Sequence, residues 1–241
     1  MSMGVETPGP VLVLVAHGSR DPAALAEVRR LAGLVRAARP GLDVRLGCLG
    51  LSEPLLAQVL EQLSGPVVLV PLLLGRGYHV KVDIPAALAA APQVDGVVTG
   101  ALGPDPVLAE VLHERLAEAG WRAEEGSAVV LATAGSRDPD AAVDAERQAR
   151  LLAARLGAPV RPGGLTCGSG VAGTVAALAA EGYQRVAVAS YFTAPGDFAR
   201  QACAAPGAWL AAEPLGAHPA MARLILARYA SALTHPLPLA A

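Results

Sequence analysis

The stretch VLVLVAHGSRDPAALAEVRRLAGLVRAA, from Val11 to Ala38, decides the fold, because a second version of it, VVLATAGSRDPDAAVDAERQARLLAARL, runs from Val129 to Leu156. Gly18-Ser19-Arg20-Asp21-Pro22 returns as Gly135-Ser136-Arg137-Asp138-Pro139, 117 positions later. Two further blocks repeat in the same order: VVLVPLLLGRGYHV (Val67–Val80) against VAVASYFTAPGDFA (Val186–Ala199), and ALGPDPVLAEVLHERL (Ala101–Leu116) against PLGAHPAMARLILARY (Pro214–Tyr229). Three blocks at near-constant spacing describe one α/β unit written twice. The join falls near Glu118–Ser127, which divides the chain into lobes 1–122 and 123–241.

Each half has the same layout. Apolar, β-branched runs such as Val11–Val15, Val67–Leu74 and Val186–Ala189 are too short for helices and suit strands buried on both faces of a parallel sheet. Segments with helical spacing lie between them, at Pro22–Ala38, Pro54–Leu63, Ile84–Ala91 and Val107–Ala119. Asp21-Pro22, Glu53-Pro54 and Asp105-Pro106 each place an acid before a proline, a pattern expected to start a helix. The alternation predicts two similar parallel-sheet lobes facing across a cleft. Ligands in such folds bind at the carboxyl edge of the strands.

The composition excludes several classes of function. A net charge of −2, from 19 basic and 21 acidic residues, gives no basic surface for nucleic acid. Cys48, Cys167 and Cys203 are far apart and form no CxxC pair, so neither a thiolate zinc site nor an iron–sulfur cluster is suggested. The apolar run Val11–Ala16 falls far short of the roughly 20 residues that span a bilayer. The N-terminal MSMGVETPGP lacks the basic head and apolar run of a secretory signal, so a cytoplasmic location is expected. Neither G-x-x-x-x-G-K-[ST] nor a convincing G-x-G-x-x-G is present, so no nucleotide or other organic cofactor is expected. Hydrophobic residues make up 53% of the chain but aromatics only 3%, so the core must be built from Ala, Val and Leu.

Two histidines stand where chemistry is expected. His17 follows the first strand, and His79 closes Leu74-Gly75-Arg76-Gly77-Tyr78-His79 after another buried strand. Neutral imidazoles from neighbouring strand ends suit a borderline divalent ion. A lone histidine at a strand end is commonly a hydrogen-bonding turn residue; the pairing and the repeat favour the ligand reading. At the matching places the second half has Ala134 and Phe198, so one lobe carries ligands while the other supplies shape. His113 lies in a helical stretch, His218 matches Asp105 and is expected at a helix start, and His235 belongs to a proline-rich tail.

HGSRDP, the SEPLL segment and VPLLLGRGYHVKVDIP together resemble the CbiX/SirB group of class II chelatases, in their two-lobed form. The resemblance implies a sirohydrochlorin chelatase that inserts Fe²⁺, slightly favoured here, or Co²⁺, with release of two protons, for sirohaem or cobalamin synthesis. The metal is a substrate and the tetrapyrrole the partner. On this resemblance His17 is a metal ligand and proton acceptor, His79 is the second metal ligand, and Glu53 contacts the macrocycle. Leu74, Gly75, Arg76, Gly77, Tyr78 and His79 line the substrate pocket. Asp83 also fits the pattern, although its alternative role is to cap the helix beginning at Ile84. The polycarboxylate substrate calls for cations: Arg20, Arg76 and Lys81 flank the proposed ligands in the first lobe, and Arg137 and Arg200 occupy comparable places in the second, with Arg76 the favoured one.

The main alternative is a non-catalytic tetrapyrrole or metal carrier. A hydrolase built on Ser19 beside His17 lacks an acidic orienter. The internal duplication is expected to replace a homodimer of single lobes, giving a monomer.

Overall fold

The computed structural model describes residues 9–234. The first half contains β1 (Val11–Ala16), α1 (Pro22–Ala38), β2 (Val44–Cys48), α2 (Leu56–Glu61), β3 (Gly65–Pro71), a π-helical turn (His79–Asp83) leading into α3 (Ile84–Ala89), β4 (Val94–Val98) and α4 (Pro106–Glu118). The second contains β5 (Ser127–Thr133), α5 (Pro139–Leu156), β6 (Val160–Gly164), α6 (Gly170–Ala180), β7 (Arg185–Ser190), α7 (Asp197–Cys203), β8 (Leu210–Ala211) and α8 (Pro219–Thr234).

Each half forms a four-stranded parallel sheet, ordered β2-β1-β3-β4 and β6-β5-β7-β8. The repeat holds to the residue: Val11 pairs with Val67 and Val15 with Pro71, as Ala128 pairs with Val186 and Ala132 with Ser190. All strands of a sheet therefore end at one edge, with helices making the crossovers.

Alternation along the strands sorts the core into layers. Leu12, Leu14 and Ala16 face inward with Val129 and Leu131, packing among α1, α4, α5 and α8 residues such as Leu31, Leu112, Leu152 and Ile225. Val13 and Val15 face outward onto Leu56, Leu60 and Ile84, and Val130 and Ala132 onto Val171, Val175 and Leu178. The inner helices of both halves thus share one core. The gap between the lobes opens beyond the strand ends and not between the sheet faces. Tyr229, fully buried, ties α8 to the start of β1 by donating its hydroxyl to the Pro10 carbonyl at 2.6 Å.

Three of the helix starts follow the acid–proline rule. The carboxylates of Asp21, Asp105 and Asp138 accept the N–H groups of Ala23, Val107 and Asp140. His218, where Asp105 has its equivalent, accepts the Ala220 N–H through Nδ1 at 3.2 Å. The expectation fails at Glu53-Pro54. That segment stays outside the helix, α2 begins at Leu56, and Gln58 accepts the Leu55 N–H at 2.8 Å. His113 sits in α4 with its ring edge-on to Trp121, away from the cleft, and His235 lies outside the described residues.

Candidate metal centre

His17 leaves the carboxyl end of β1 through a turn that only glycine permits. Gly18 has φ +90°, and a Cβ there would fall 1.6 Å from the Gly50 carbonyl oxygen. Gly135 repeats the constraint in the second half, with φ +82° and Thr166 Oγ1 2.7 Å from the site of a Cβ. The scaffold glycine is therefore present in both lobes, although Ala134 replaces the histidine. Ser19 is engaged in local structure: its N–H donates to Ser52 Oγ at 2.9 Å, and its own Oγ accepts the Asp21 N–H at 3.0 Å. A nucleophilic role for that hydroxyl has no geometric support.

His79 opens the π-helical turn, whose wider i→i+5 bonding is seen where Ile84 N–H reaches the His79 carbonyl. The imidazoles of His17 and His79 meet at the cleft, with ring centroids 4.8 Å apart and planes at 79°. His17 Nδ1 lies 3.1 Å from the Gly18 carbonyl oxygen. A carbonyl only accepts, so Nδ1 donates, and in the neutral imidazole the lone pair is on Nε2. His79 Nδ1 lies 2.5 Å from Asp83 Oδ2, and a carboxylate imposes the same tautomer. Asp83 is thus not a helix cap: it lies in continuous helical backbone, makes no capping hydrogen bond, and orients His79 from one turn away. A carboxylate behind a ligating imidazole fixes its ring and raises its basicity. No group of three or more His, Cys, Asp or Glu side chains suited to a metal occurs among the described residues. An ion held by the two imidazoles alone would keep coordination positions open.

Both histidines line a cavity of about 1090 Å³, together with Leu74, Gly75, Arg76, Gly77 and Tyr78 from the first lobe and the Thr133–Asp138 segment from the second. An adjoining cavity of about 430 Å³ is its pseudo-symmetric counterpart, formed by the His17–Arg20 turn and the Phe192–Ala199 loop. His17 and Phe198 border both.

Two expectations need correction. Glu53 is exposed and outside both cavities; its carboxylate turns back to accept the Leu55 N–H at 3.1 Å. Arg76 does line the cleft, but its guanidinium is already held by Asp144, at 2.8 Å to Oδ1. Lys81 is likewise bound by Asp138 and Asp140, at 2.7 and 2.9 Å, and Arg200 by Asp21 and Asp197. Lys81–Asp138 and Arg200–Asp21 occupy equivalent places in the repeat, so each lobe ties its loop to the helix start of the other. Arg137 lines the larger cavity and, among the described residues, has no ion-pair partner.

Asp144, Tyr191 and Thr193, which the sequence reading passed over, face the same loop. Thr193 donates to the Leu72 carbonyl and Tyr191 to the Leu74 carbonyl, each at 2.9 Å. Burial pushes the Tyr191 phenol well above its ordinary pKa, which keeps it a donor.

The family model that matches this sequence, CbiX, matches twice, over residues 11–119 and 128–232. The chain belongs to the CbiX family. The two matches coincide with the two sheets, so this CbiX chain carries the family unit in duplicate. The sirohydrochlorin cobaltochelatase of Methanopyrus kandleri is 29% identical over 136 residues, spanning 95% of that protein and 45% of this chain. That relative is thus about one lobe long. The sirohydrochlorin ferrochelatase of Priestia megaterium is 30% identical over 152 residues, spanning 56% of that protein and 58% of this chain. Among solved structures, the sirohydrochlorin chelatase SirB from Bacillus subtilis subspecies spizizenii, in complex with cobalt, superposes with a TM-score of 0.75 at 21% identity, covering 94% of this chain and 96% of that one. SirB from Bacillus subtilis with Fe³⁺ gives 0.72 at 23% identity, covering 92% and 94%. These likenesses establish the two-lobed chelatase fold.

Proposed function

We propose that this CbiX chain is a sirohydrochlorin chelatase, which takes Fe²⁺ or Co²⁺ as substrate and inserts it into the macrocycle. The observation that carries the reading is the pair of imidazoles, 4.8 Å apart, facing one cavity with their Nε2 lone pairs free. Two neutral imidazoles hold a borderline divalent ion without closing its coordination sphere, which suits transfer better than storage. The free macrocycle carries two pyrrole N–H protons that must leave. As the ion passes to the pyrrole nitrogens, His17 and His79 regain two basic Nε2 atoms, which matches the two protons released. The duplicated unit and the names of the relatives support the same substrate class.

A polycarboxylate substrate needs cations in the cleft. Of Arg76, Lys81 and Arg137, which line the larger cavity, the first two are neutralised by acids of the second lobe. Arg137 is the residue we assign to a substrate carboxylate. A monomer is part of this reading, because one chain supplies both lobes. The donor set accepts iron and cobalt alike, and competition between the two ions in one assay ranks them.

No helix among the described residues is long and apolar enough to cross a membrane. The test is anaerobic incubation of the protein with sirohydrochlorin and Fe²⁺ or Co²⁺, followed by absorbance. A chelatase accelerates the spectral change of insertion. A protein that binds both partners at the uncatalysed rate is a carrier, and the proposal fails.

A further inference from the structure

Asp144 is a carboxylate on α5 whose side chain is 3% exposed, in the lobe without ligands. It spends all its bonding on one residue of the other lobe. Its Oδ2 accepts the Arg76 backbone N–H at 2.8 Å, and its two oxygens take the guanidinium at 2.8 to 3.2 Å. Arg76 stands between Gly75 and Gly77, three positions before His79, in a stretch that two glycines would otherwise leave loose. Tyr191 and Thr193 hold the same stretch at Leu74 and Leu72. Side chains of the second lobe thus hold the loop at positions 72, 74 and 76, beyond the first-lobe backbone bonds of the Leu72 N–H to the Val15 carbonyl and of the Leu102 N–H to the Leu73 carbonyl. At the places matching Leu72, Leu74 and Arg76, the second lobe has Tyr191, Thr193 and Pro195, so this bonding has no counterpart in the opposite direction.

We propose that Asp144 is a positioning residue: through Arg76 it sets where His79 stands relative to His17, so that the ligand-free lobe determines the metal geometry of the other. The inference rests on the imidazole pair being the metal site. Its test is Co²⁺ titration of the purified full chain, read by affinity and by the visible absorption of the bound ion, without macrocycle. Asp144→Ala is expected to weaken Co²⁺ binding about tenfold and to alter the spectrum. Asp144→Asn, which keeps an acceptor for the Arg76 N–H, recovers part of both. The double variant Arg76→Met/Asp144→Leu removes both charges without leaving either unpaired. It changes no net charge, so loss of affinity there reflects position and not attraction of the ion to a carboxylate. Val175→Ala, a cavity in the outer layer of the second sheet, lowers Tm and leaves Co²⁺ binding unchanged. If the Asp144 variants melt early yet bind Co²⁺ with wild-type affinity and spectrum, the positioning role is overturned while the metal site stands. If His17→Ala/His79→Ala binds Co²⁺ as well as wild type, the metal reading itself fails, and the positioning role with it.

Discussion

After β3 the chain runs from Leu72 through Gly75, Arg76 and Gly77 to His79 and enters a π-helical turn. After β7 it runs from Tyr191 through Ala194, Pro195 and Gly196 into the ordinary helix α7, where Phe198 is the second residue. The two loops leave equivalent strand ends in equivalent registers. In the first, Asp83 is partly exposed and bonds His79; in the second, the matching Ala202 is fully buried. The residue four places after the histidine position is thus free to bond the imidazole in the first loop and packed into the core in the second. Duplication fixed where a side chain is presented, and a handful of substitutions fixed what it does there.

The sharpest way to break this asymmetry is to remove the two histidines. His17→Ala and His79→Ala are each expected to lower the insertion rate by at least about a hundredfold, with an unchanged far-ultraviolet circular dichroism spectrum. Wild-type turnover by either would refute the site. Asp83→Ala leaves His79 in place but frees its ring, so Co²⁺ affinity should fall about 10- to 100-fold, as measured by titration. Thr193→Val leaves the Leu72 carbonyl without its donor, at a cost of about 1 kcal/mol in stability, or a Tm lower by about 2–4 °C. Ala134→His, which restores an imidazole to the second lobe without the carboxylate or the partner ring, should leave the stoichiometry at one Co²⁺ per chain. A second equivalent would show that the lobes are closer to functional equals than their loops suggest.

The smallest effect concerns the ties between lobes. The Asp138 carboxyl is held below its ordinary pKa, chiefly by the hydrogen bond from Lys81 and then by the Asp140 N–H. The stabilisation that follows from a depressed carboxyl is complete above the ordinary carboxylate range and is lost as pH falls through the folded value. Lys81→Ala should lower Tm slightly at neutral pH, and the difference from wild type should shrink on acidification.

Much of this was legible from the residues. The duplicated Gly-Ser-Arg-Asp-Pro block gave the two sheets, and the bounds of α1 follow from Asp21-Pro22 and the apolar spacing. β2, β4, β6 and β8 carry weaker signals, because they are short and flank the central strands; three of them are five residues or fewer with Arg, Asp or Gly inside. Glu53-Pro54 carries the same local pattern as Asp21-Pro22, but the longer side chain satisfies its own loop, and the helix starts later. Asp144 did leave a trace in the sequence. Asp144, Gln148, Leu152 and Leu156 fall at intervals of four on the buried stripe of α5, and two polar residues on such a stripe signal an inter-lobe contact. The cations were misjudged because sequence shows the charge but not the acid that meets it from another lobe.

The common interior built by α1, α4, α5 and α8 has an evolutionary consequence. Each copy of the unit covers apolar surface that the other would leave bare, so the second copy is needed for packing although it holds Ala134 and Phe198 where the first holds His17 and His79. Those two positions lie outside the shared core and can vary, but the molecule is not free to lose the copy. Asp144, Tyr191 and Thr193, which bond the Leu72–Arg76 stretch, are where change in the second copy can still reach the first.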